Sequence, residues 1–101
     1  MHARVTIFKG SGERFDEATA NAREVILPAL RELDGFAGAL ILADRPTGRS
    51  LAITLWETED ALRSTEEAAN RMRVETAATY EEEVVGVETY DIVIDGRSEE
   101  G

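Results

Sequence analysis

Aromatic rings, amides and two arginines are the side chains of this sequence that could serve a binding or catalytic pocket. Trp56 is the only tryptophan, and its ring could stack on a flat ligand or fill the core. Tyr80 and Tyr90 carry phenols that could bind a substrate oxygen, and each could equally be a core ring. Five residues on the two predicted helices could point into a cleft, or simply meet solvent: Asn21, Asn70, Arg71, Met72 and Arg73. No general base stands out among them, so no catalytic residue is predicted.

The composition excludes several kinds of site. The chain has no cysteine, which rules out disulfides, thiolate catalysis and cysteine-ligated metals. Its one histidine, His2, is interpreted as a solvated residue at the N-terminus, and no tight cluster of carboxylates suggests a metal site. Residues 10–14 form a glycine-rich loop that superficially resembles an anion cradle, but the spacing around Arg14 is wrong for one. We therefore predict neither a metal nor a cofactor.

The charge of the chain limits its partners. The net charge is −10, from 21 acidic and 11 basic residues, and Lys9 is the only lysine. Nucleic acids and anionic membranes are bound through Lys and Arg, so both are predicted not to be partners. No apolar run is long enough to span a membrane and no secretory leader is recognisable, which predicts a cytoplasmic protein. The acidity is interpreted as a source of solubility.

The hydrophobic pattern predicts six main elements in the order β-α-β-β-α-β, the ferredoxin-like α+β arrangement of a four-stranded antiparallel sheet with both helices on one face. The predicted strands cover residues 3–9, 36–43, 49–57 and 84–94, and the predicted helices cover 15–33 and 64–80, the second preceded by a short turn at 58–62. Residues 1–95 are expected to form one domain and residues 96–101 a flexible acidic tail.

Local signals refine these elements. Pro28 lies inside the pattern of the first helix and should kink or restart it. Thr58 is expected to cap the short turn, and Ser64 is expected to form a capping box with Glu67. The acidic run 81–83 is interpreted as a solvated exit from the second helix.

The predicted sheet is apolar on both faces, which predicts a homodimer. Leu51, Ile53 and Leu55 point to one side of the third strand and Trp56 points to the other. Two helices cover only one face, and the opposite face must then be buried in another way. The simplest cover is the same face of a second copy. The pattern does not decide which face meets the helices.

Several segments resemble the dimeric α+β barrel superfamily, and within it the antibiotic biosynthesis monooxygenase-like domains. They are residues 27–30, 35–39, the hairpin with Gly48, residues 55–62 and residues 87–91. The resemblance implies that two sheets pack face to face and that a flat organic molecule binds between sheet and helices. Some members oxidise polycyclic phenols with molecular oxygen and no cofactor, while others degrade haem, isomerise lactones or have no known activity. The haem-degrading branch has a histidine on the second helix, where this chain has residues 71–74, so a haem role is not expected.

Two functions remain open from the sequence. One is a cofactor-independent monooxygenase acting on a small apolar, aromatic or polyketide-like compound. The other is a non-catalytic dimeric barrel, either a binding module or a stress-related protein. A closed apolar pocket would favour the first, and a filled core around Trp56 would favour the second. Small residues on the second helix, including Ala69, leave space above the sheet and favour a pocket.

Overall fold

The computed structural model describes residues 1–97, and its strands form a single antiparallel sheet in the order β2-β3-β1-β4. In chain order the elements are β1 (His2–Lys9), α1 (Phe15–Asn21), a π-helical turn (Ala22–Ile26), α2 (Leu27–Arg31), β2 (Phe36–Asp44), β3 (Arg49–Trp56), α3 (Glu59–Ser64), α4 (Glu66–Thr79) and β4 (Glu83–Asp91). This confirms the predicted ferredoxin-like α+β fold. The remaining part of the predicted acidic tail, residues 98–101, lies outside the described residues.

The first helix changes its winding just before Pro28. A proline has no N–H and cannot donate to the carbonyl four residues earlier, so the preceding turn widens to a π-helix and α2 begins at Leu27. The wider turn changes which apolar side chains of this segment face the sheet. Ile26 and Leu30 face inward, whereas Val25 is 57% exposed.

The two capping predictions have different outcomes. Thr58 caps α3, because its Oγ1 accepts a hydrogen bond from the Ala61 N–H at 3.0 Å. The capping box at Ser64 is wrong. Thr65 is the residue before α4, and its hydroxyl donates back to the Ala61 carbonyl at 2.7 Å instead of capping the new helix. This contact links α3 to α4 and places Glu66 in the first turn of α4.

The sheet register shows which face meets the helices. Thr6 lies opposite Ala52, and Ala52 lies opposite Ile41, and these residues point to the helical side. Their neighbours Val5, Ile53 and Leu40, which are also opposite one another, point away. We call the second side the open face.

The open face leaves large apolar groups accessible. Leu40 and Leu42 are each 48% exposed, and Tyr90, which lies opposite Ala3, is 54% exposed. Beyond β4 the described chain crosses one end of this face, where Arg97 comes close to Gly38 of the edge strand β2. Within residues 1–97, Leu40 and Leu42 of this face stay about half-exposed.

The last strand is shorter than predicted. It ends at Asp91 rather than at residue 94, because its neighbour β1 begins at His2 and offers no further strand to pair with. The Ile92 N–H still donates to the Met1 carbonyl at 2.9 Å, after which Val93 and Ile94 are exposed. No helix among residues 1–97 is long and apolar enough to cross a membrane.

Candidate functional site

A cavity of about 130 Å³ lies between the helical side of the sheet and the helices. Its walls are mainly apolar, and the largest side chains in them are Phe8, Phe15, Ile26, Leu30, Ile41 and Met72. An apolar protein cavity of about 150 Å³ holds one benzene molecule, so this one has room for one aromatic ring, and the further rings of a larger ligand would extend through its open side.

Small side chains keep this space open. Alternate residues of β3 place Ser50, Ala52 and Thr54 on the floor, and α1 contributes Ala18 to the wall. Of the small residues expected to leave space on the second helix, Ala69 lines the cavity. The cavity therefore results from residue size at the inward positions of strands and helices that are otherwise regular.

Two buried arginines share one carboxylate at one end of the cavity. Arg4, on β1, is 2% exposed and Arg73, on α4, is 6% exposed, and both line the cavity. The Nε atom of Arg4 lies 2.8 Å from one carboxylate oxygen of Glu66, and Nη1 of Arg73 lies 3.0 Å from the other. The glutamate itself is half-exposed. The cluster thus carries two positive charges and one negative charge.

Arg4 is held from several sides. Its Nη2 atom donates to the Leu62 carbonyl and to the Thr65 hydroxyl, and its guanidinium lies over the Trp56 ring at 5.4 Å from the centroid. Burial lowers the pKa of Arg4, the Glu66 carboxylate opposes that effect, and the charge of Arg73 adds to the lowering. Arg4 therefore lies in a poorly solvated environment in which it shares its one carboxylate partner with Arg73.

Part of the hydrogen-bonding capacity of both arginines is unused. Within residues 1–97 no protein group accepts a hydrogen bond from Arg4 Nη1 or from Arg73 Nε and Nη2, although all three atoms are buried. Arg73 makes its other contacts through Nη1, which donates to Glu66 and to Asn70 Oδ1 at 3.1 Å. Buried donors of this kind are uncommon in folded proteins and indicate an acceptor that the fold alone does not supply.

A carboxyl group lies on the cavity wall near the other end of β1. Glu82 is partly buried and lies beside Gly10, which follows that strand. Burial raises the pKa of the Glu82 carboxyl group. The interpretation of residues 81–83 as a solvated exit is therefore wrong for Glu82, whereas Glu81 and Glu83 are exposed. The tight turn after α4 turns Glu82 inward, and its N–H donates to the Ala77 carbonyl at 2.8 Å.

The predicted pocket residues divide into two groups. Asn21, Met72 and Arg73 line the cavity, and Asn70 stands beside it as a hydrogen-bond partner of Arg73. Trp56 lies in the core and not in the cavity wall. It is 0% exposed, its indole N–H donates to Thr54 Oγ1 at 2.9 Å, and it packs with Leu30 and Leu62.

The tyrosines lie away from the cavity. Tyr80 borders a smaller recess and lies under the guanidinium of Arg14, 5.1 Å from its ring centroid. Tyr90 is 54% exposed, and its hydroxyl donates to Glu88 at 2.9 Å, which raises the pKa of the phenol. His2 pairs with Asp91 at 2.9 Å.

Sequence reasoning missed Arg4, Glu66 and Glu82. Arg4 could have been found from the sequence, because it alternates with Thr6 and Phe8 and these residues share the inward side of β1. The inward direction of Glu82 depends on the turn that ends α4, which no sequence pattern marks. In the part of the chain that the structure describes, no group of three or more His, Cys, Asp and Glu residues could hold a metal ion.

This arrangement has a definite chemical capacity. The apolar walls can exclude water from a flat ring, the arginine end can stabilise negative charge, and Glu82 at the other end can accept or donate a proton.

No protein-family model matches the chain. The uncharacterised protein Rv2557 of Mycobacterium tuberculosis is 36% identical over 73 residues, which are 72% of this chain and 33% of that protein. This chain thus spans about a third of the length of that relative.

Solved structures share the fold at low sequence identity. HapK from Hahella chejuensis superposes with a TM-score of 0.71 at 13% identity, over 95% of this chain and 96% of its own. The monooxygenase ActVA-Orf6 of Streptomyces coelicolor, solved in complex with nanaomycin D, gives 0.67 at 17% identity over 94% and 88%. SnoaB, a cofactor-independent oxygenase from Streptomyces nogalater, gives 0.63 at 16% identity over 94% and 95%.

Proposed function

Because this chain has the fold of the antibiotic biosynthesis monooxygenase-like domains, we propose that its cavity binds a small aromatic or polyketide-like compound and oxidises it without a bound cofactor. The observation that carries the proposal is the apolar cavity of about 130 Å³ between sheet and helices. A concave, mainly apolar site with a few convergent polar groups is the usual form of a small-molecule site.

The proposed chemistry demands little of the protein. A substrate of the anthrone type loses a proton from its CH2 group, and the resulting carbanion transfers electrons to molecular oxygen. One oxygen atom enters the product as C=O, and the other leaves as water with the two hydrogens of the CH2 group. The protein has to accept the first proton, stabilise the anion and exclude water. Glu82 and the arginine end of the cavity are suited to the first two tasks.

Two structural relatives support this choice by analogy. SnoaB is a cofactor-independent oxygenase, and the monooxygenase ActVA-Orf6 binds nanaomycin D. Fold alone does not transfer an activity, so the support rests on the cavity together with the relatives.

A non-catalytic binding protein is the second candidate. Trp56 favours it, because this ring packs in the core with Leu30 and Leu62 instead of facing a ligand. The two candidates share the cavity and differ in whether oxygen is consumed.

The proposal includes a homodimer that forms through the open face. Its support is the set of half-exposed apolar side chains on that face, among them Leu40 and Leu42 on the edge strand β2. Removing apolar surface from water contributes about 25 cal/mol per Å², which favours pairing of two such faces.

A binding and oxygen-uptake experiment tests the function. One- to three-ring phenols and anthrones are titrated against the protein, with the fluorescence of the single tryptophan as the binding signal and an oxygen electrode as the signal for turnover. We expect micromolar binding of at least one compound, and oxygen uptake with an anthrone. Binding without uptake supports the non-catalytic candidate.

Two substitutions on α4 locate the binding site. Ala69→Leu fills part of the cavity and should weaken binding about tenfold or more, since each 1.4 kcal/mol lost is tenfold. Ala78→Leu, on the exposed side of the same helix, is the control and should leave binding unchanged. Absence of binding to the parent protein, or equal binding by both variants, would overturn the proposed site.

A further inference from the structure

We propose that Arg4 and Arg73 form an anion-recognition site, and that the natural ligand is a flat apolar molecule carrying an anionic oxygen, either a carboxylate or an ionised phenol or enol. This inference rests on the proposed function and specifies the chemical class of the ligand. It goes beyond a general small-molecule cavity, because an apolar cavity by itself favours neutral compounds.

The two guanidinium groups have free donors at the cavity wall. Both guanidinium groups are more than nine-tenths buried and both line the cavity. Arg4 Nη1 and Arg73 Nε and Nη2 have no hydrogen-bond acceptor among residues 1–97. The Nε and Nη2 atoms of one guanidinium form the fork that matches the two oxygens of a carboxylate. Arg73 presents this fork with both atoms unused.

The charges of the two arginines are only partly balanced by Glu66. The Glu66 carboxylate spreads over both arginines, with one oxygen 2.8 Å from Arg4 Nε and the other 3.0 Å from Arg73 Nη1. One carboxylate neutralises only one of two positive charges. Asn70, the other partner of Arg73, is neutral. The cluster keeps an excess positive charge beside an apolar cavity, and an anionic ligand oxygen balances it.

The positions of Glu82 and the arginines determine how a ligand is oriented in the cavity. Glu82 lies on the wall of the same cavity, near Gly10 at the end of β1, whereas Arg4 lies near the start of that strand. A carboxylate at one end repels a ligand anion, and the arginines at the other end attract it. The ligand is therefore held with its anionic oxygen at Arg4 and Arg73 and its apolar body towards Phe8 and Phe15.

A purely structural role does not account for the unused nitrogen atoms of Arg4 and Arg73. Arg4 already has structural contacts through Nη2, to the Leu62 carbonyl and the Thr65 hydroxyl, and through its packing on Trp56. Those contacts account for one side of the guanidinium and leave Nη1 for another acceptor. Arg73 likewise uses only Nη1.

Pairs of compounds with similar shape and different charge provide the test. 2-Naphthoate is compared with 2-naphthamide, and 4-nitrophenolate with 4-nitroanisole, by calorimetry and tryptophan fluorescence on the parent protein. We expect the anion of at least one pair to bind about ten- to a hundredfold more tightly, because hydrogen bonds to charged groups contribute that much. The pair with the larger preference tells a carboxylate ligand from a phenolate or enolate ligand.

Variants on α4 assign the preference to the arginine. Arg73→Gln should abolish the preference for the anion while leaving binding of the neutral partner within about twofold, and Arg73→Lys should retain part of it. Arg71→Gln is the matched control, since Arg71 is exposed on the same helix and pairs only with Glu67 at 3.6 Å. Circular dichroism and the melting temperature check that each variant is folded.

The possible results are distinguishable. Equal affinity for anion and neutral partner in the parent protein overturns this inference and leaves the proposed binding function intact. The same loss in Arg71→Gln as in Arg73→Gln also overturns it, because general charge attraction then explains the preference. If neither member of either pair binds, the inference and the proposed binding site both fail.

Discussion

At the scale of single residues, the cavity holds opposite charges in different environments. Arg4 is buried among several partners, whereas Glu82 is partly buried and reaches the cavity from a turn. Burial disfavours the charged form of both groups. The Glu66 carboxylate offsets this effect for Arg4, whereas burial alone accounts for the raised pKa of Glu82. Glu82 is therefore the group whose protonation should affect folding.

The raised pKa of Glu82 predicts a pH-dependent stability. A carboxyl group with a higher pKa in the folded state than in the unfolded state binds its proton more tightly when folded. Its contribution is complete below the unfolded value of about 4.5 and is lost as pH rises through the folded pKa. We expect Glu82→Gln to melt a few °C higher than the parent protein at neutral pH, with the difference shrinking towards about pH 4.

Melting curves between about pH 4 and about pH 8 measure this difference. Glu83→Gln is the control, because Glu83 is the adjacent and exposed carboxylate. A melting difference for Glu82→Gln that stays constant with pH, or that is matched by Glu83→Gln, would contradict the assignment.

The sequence predicted part of the site at this scale. Arg73, Asn21 and Met72 were candidates because they lie on the predicted helices, and all three line the cavity. Their part in binding stays a prediction. Arg4 and Glu82 were missed for a physical reason. A charged residue is usually solvated, and only the three-dimensional path of the chain shows that these two are not.

At the scale of elements, the β2–β3 connection packs against the loop that follows β1. Gly48 has φ +76°, and a Cβ atom placed there would lie 1.8 Å from the carbonyl oxygen of Gly10. The Gly10 N–H donates to the Gly48 carbonyl at 2.9 Å, and Arg45 pairs with Asp16 at 2.7 Å. The hairpin end is thereby joined to the start of the first helix.

This close approach predicts a strong effect of one methyl group. Gly48→Ala should destabilise the protein by about 2 kcal/mol or more, since left-handed backbone alone costs about 1–2 kcal/mol and the contact with Gly10 adds to it. Gly96→Ala is the control, because a Cβ there meets no atom of residues 1–97 within 4 Å, and it should change stability by about 0.5 kcal/mol at most. Urea unfolding measures both, and similar values for the two variants would disprove the packing of the hairpin.

The elements themselves were largely predictable, and their ends less so. Alternation and helical spacing predicted the order of strands and helices, and Thr58 was found as a cap. The widened turn before Pro28 and the role of Thr65 were not predicted, because each depends on how two neighbouring helical segments meet. The end of β4 depends on where its partner strand starts.

At the scale of the whole molecule, one sheet serves two surfaces. Its helical side forms the cavity, and its open face exposes Leu40 and Leu42. The double-sided apolar pattern was visible in the sequence, and the structure decides which side is which. The homodimer remains a prediction.

The open face predicts a dimer that a single charge disrupts. Leu42 belongs to this face and not to the cavity wall, so Leu42→Glu should raise the dimer dissociation constant at least about tenfold by placing a carboxylate in an apolar contact. Val25→Glu, at a position 57% exposed on the first helix, should leave the dimer intact. Sedimentation velocity over a range of concentrations measures both, and a monomeric parent protein would refute the interface.

The alternation along β1 also limits how this protein can evolve. Arg4 and Thr6 face the cavity while Val5 and Ile7 face the other way, so one inserted or deleted residue in the strand would exchange the two sets. Arg4 would then enter the apolar face, and the cavity would keep only Arg73 of its two arginines. We therefore expect insertions and deletions to be tolerated in the connections between strands rather than within β1, where replacement of a residue leaves both sets in place.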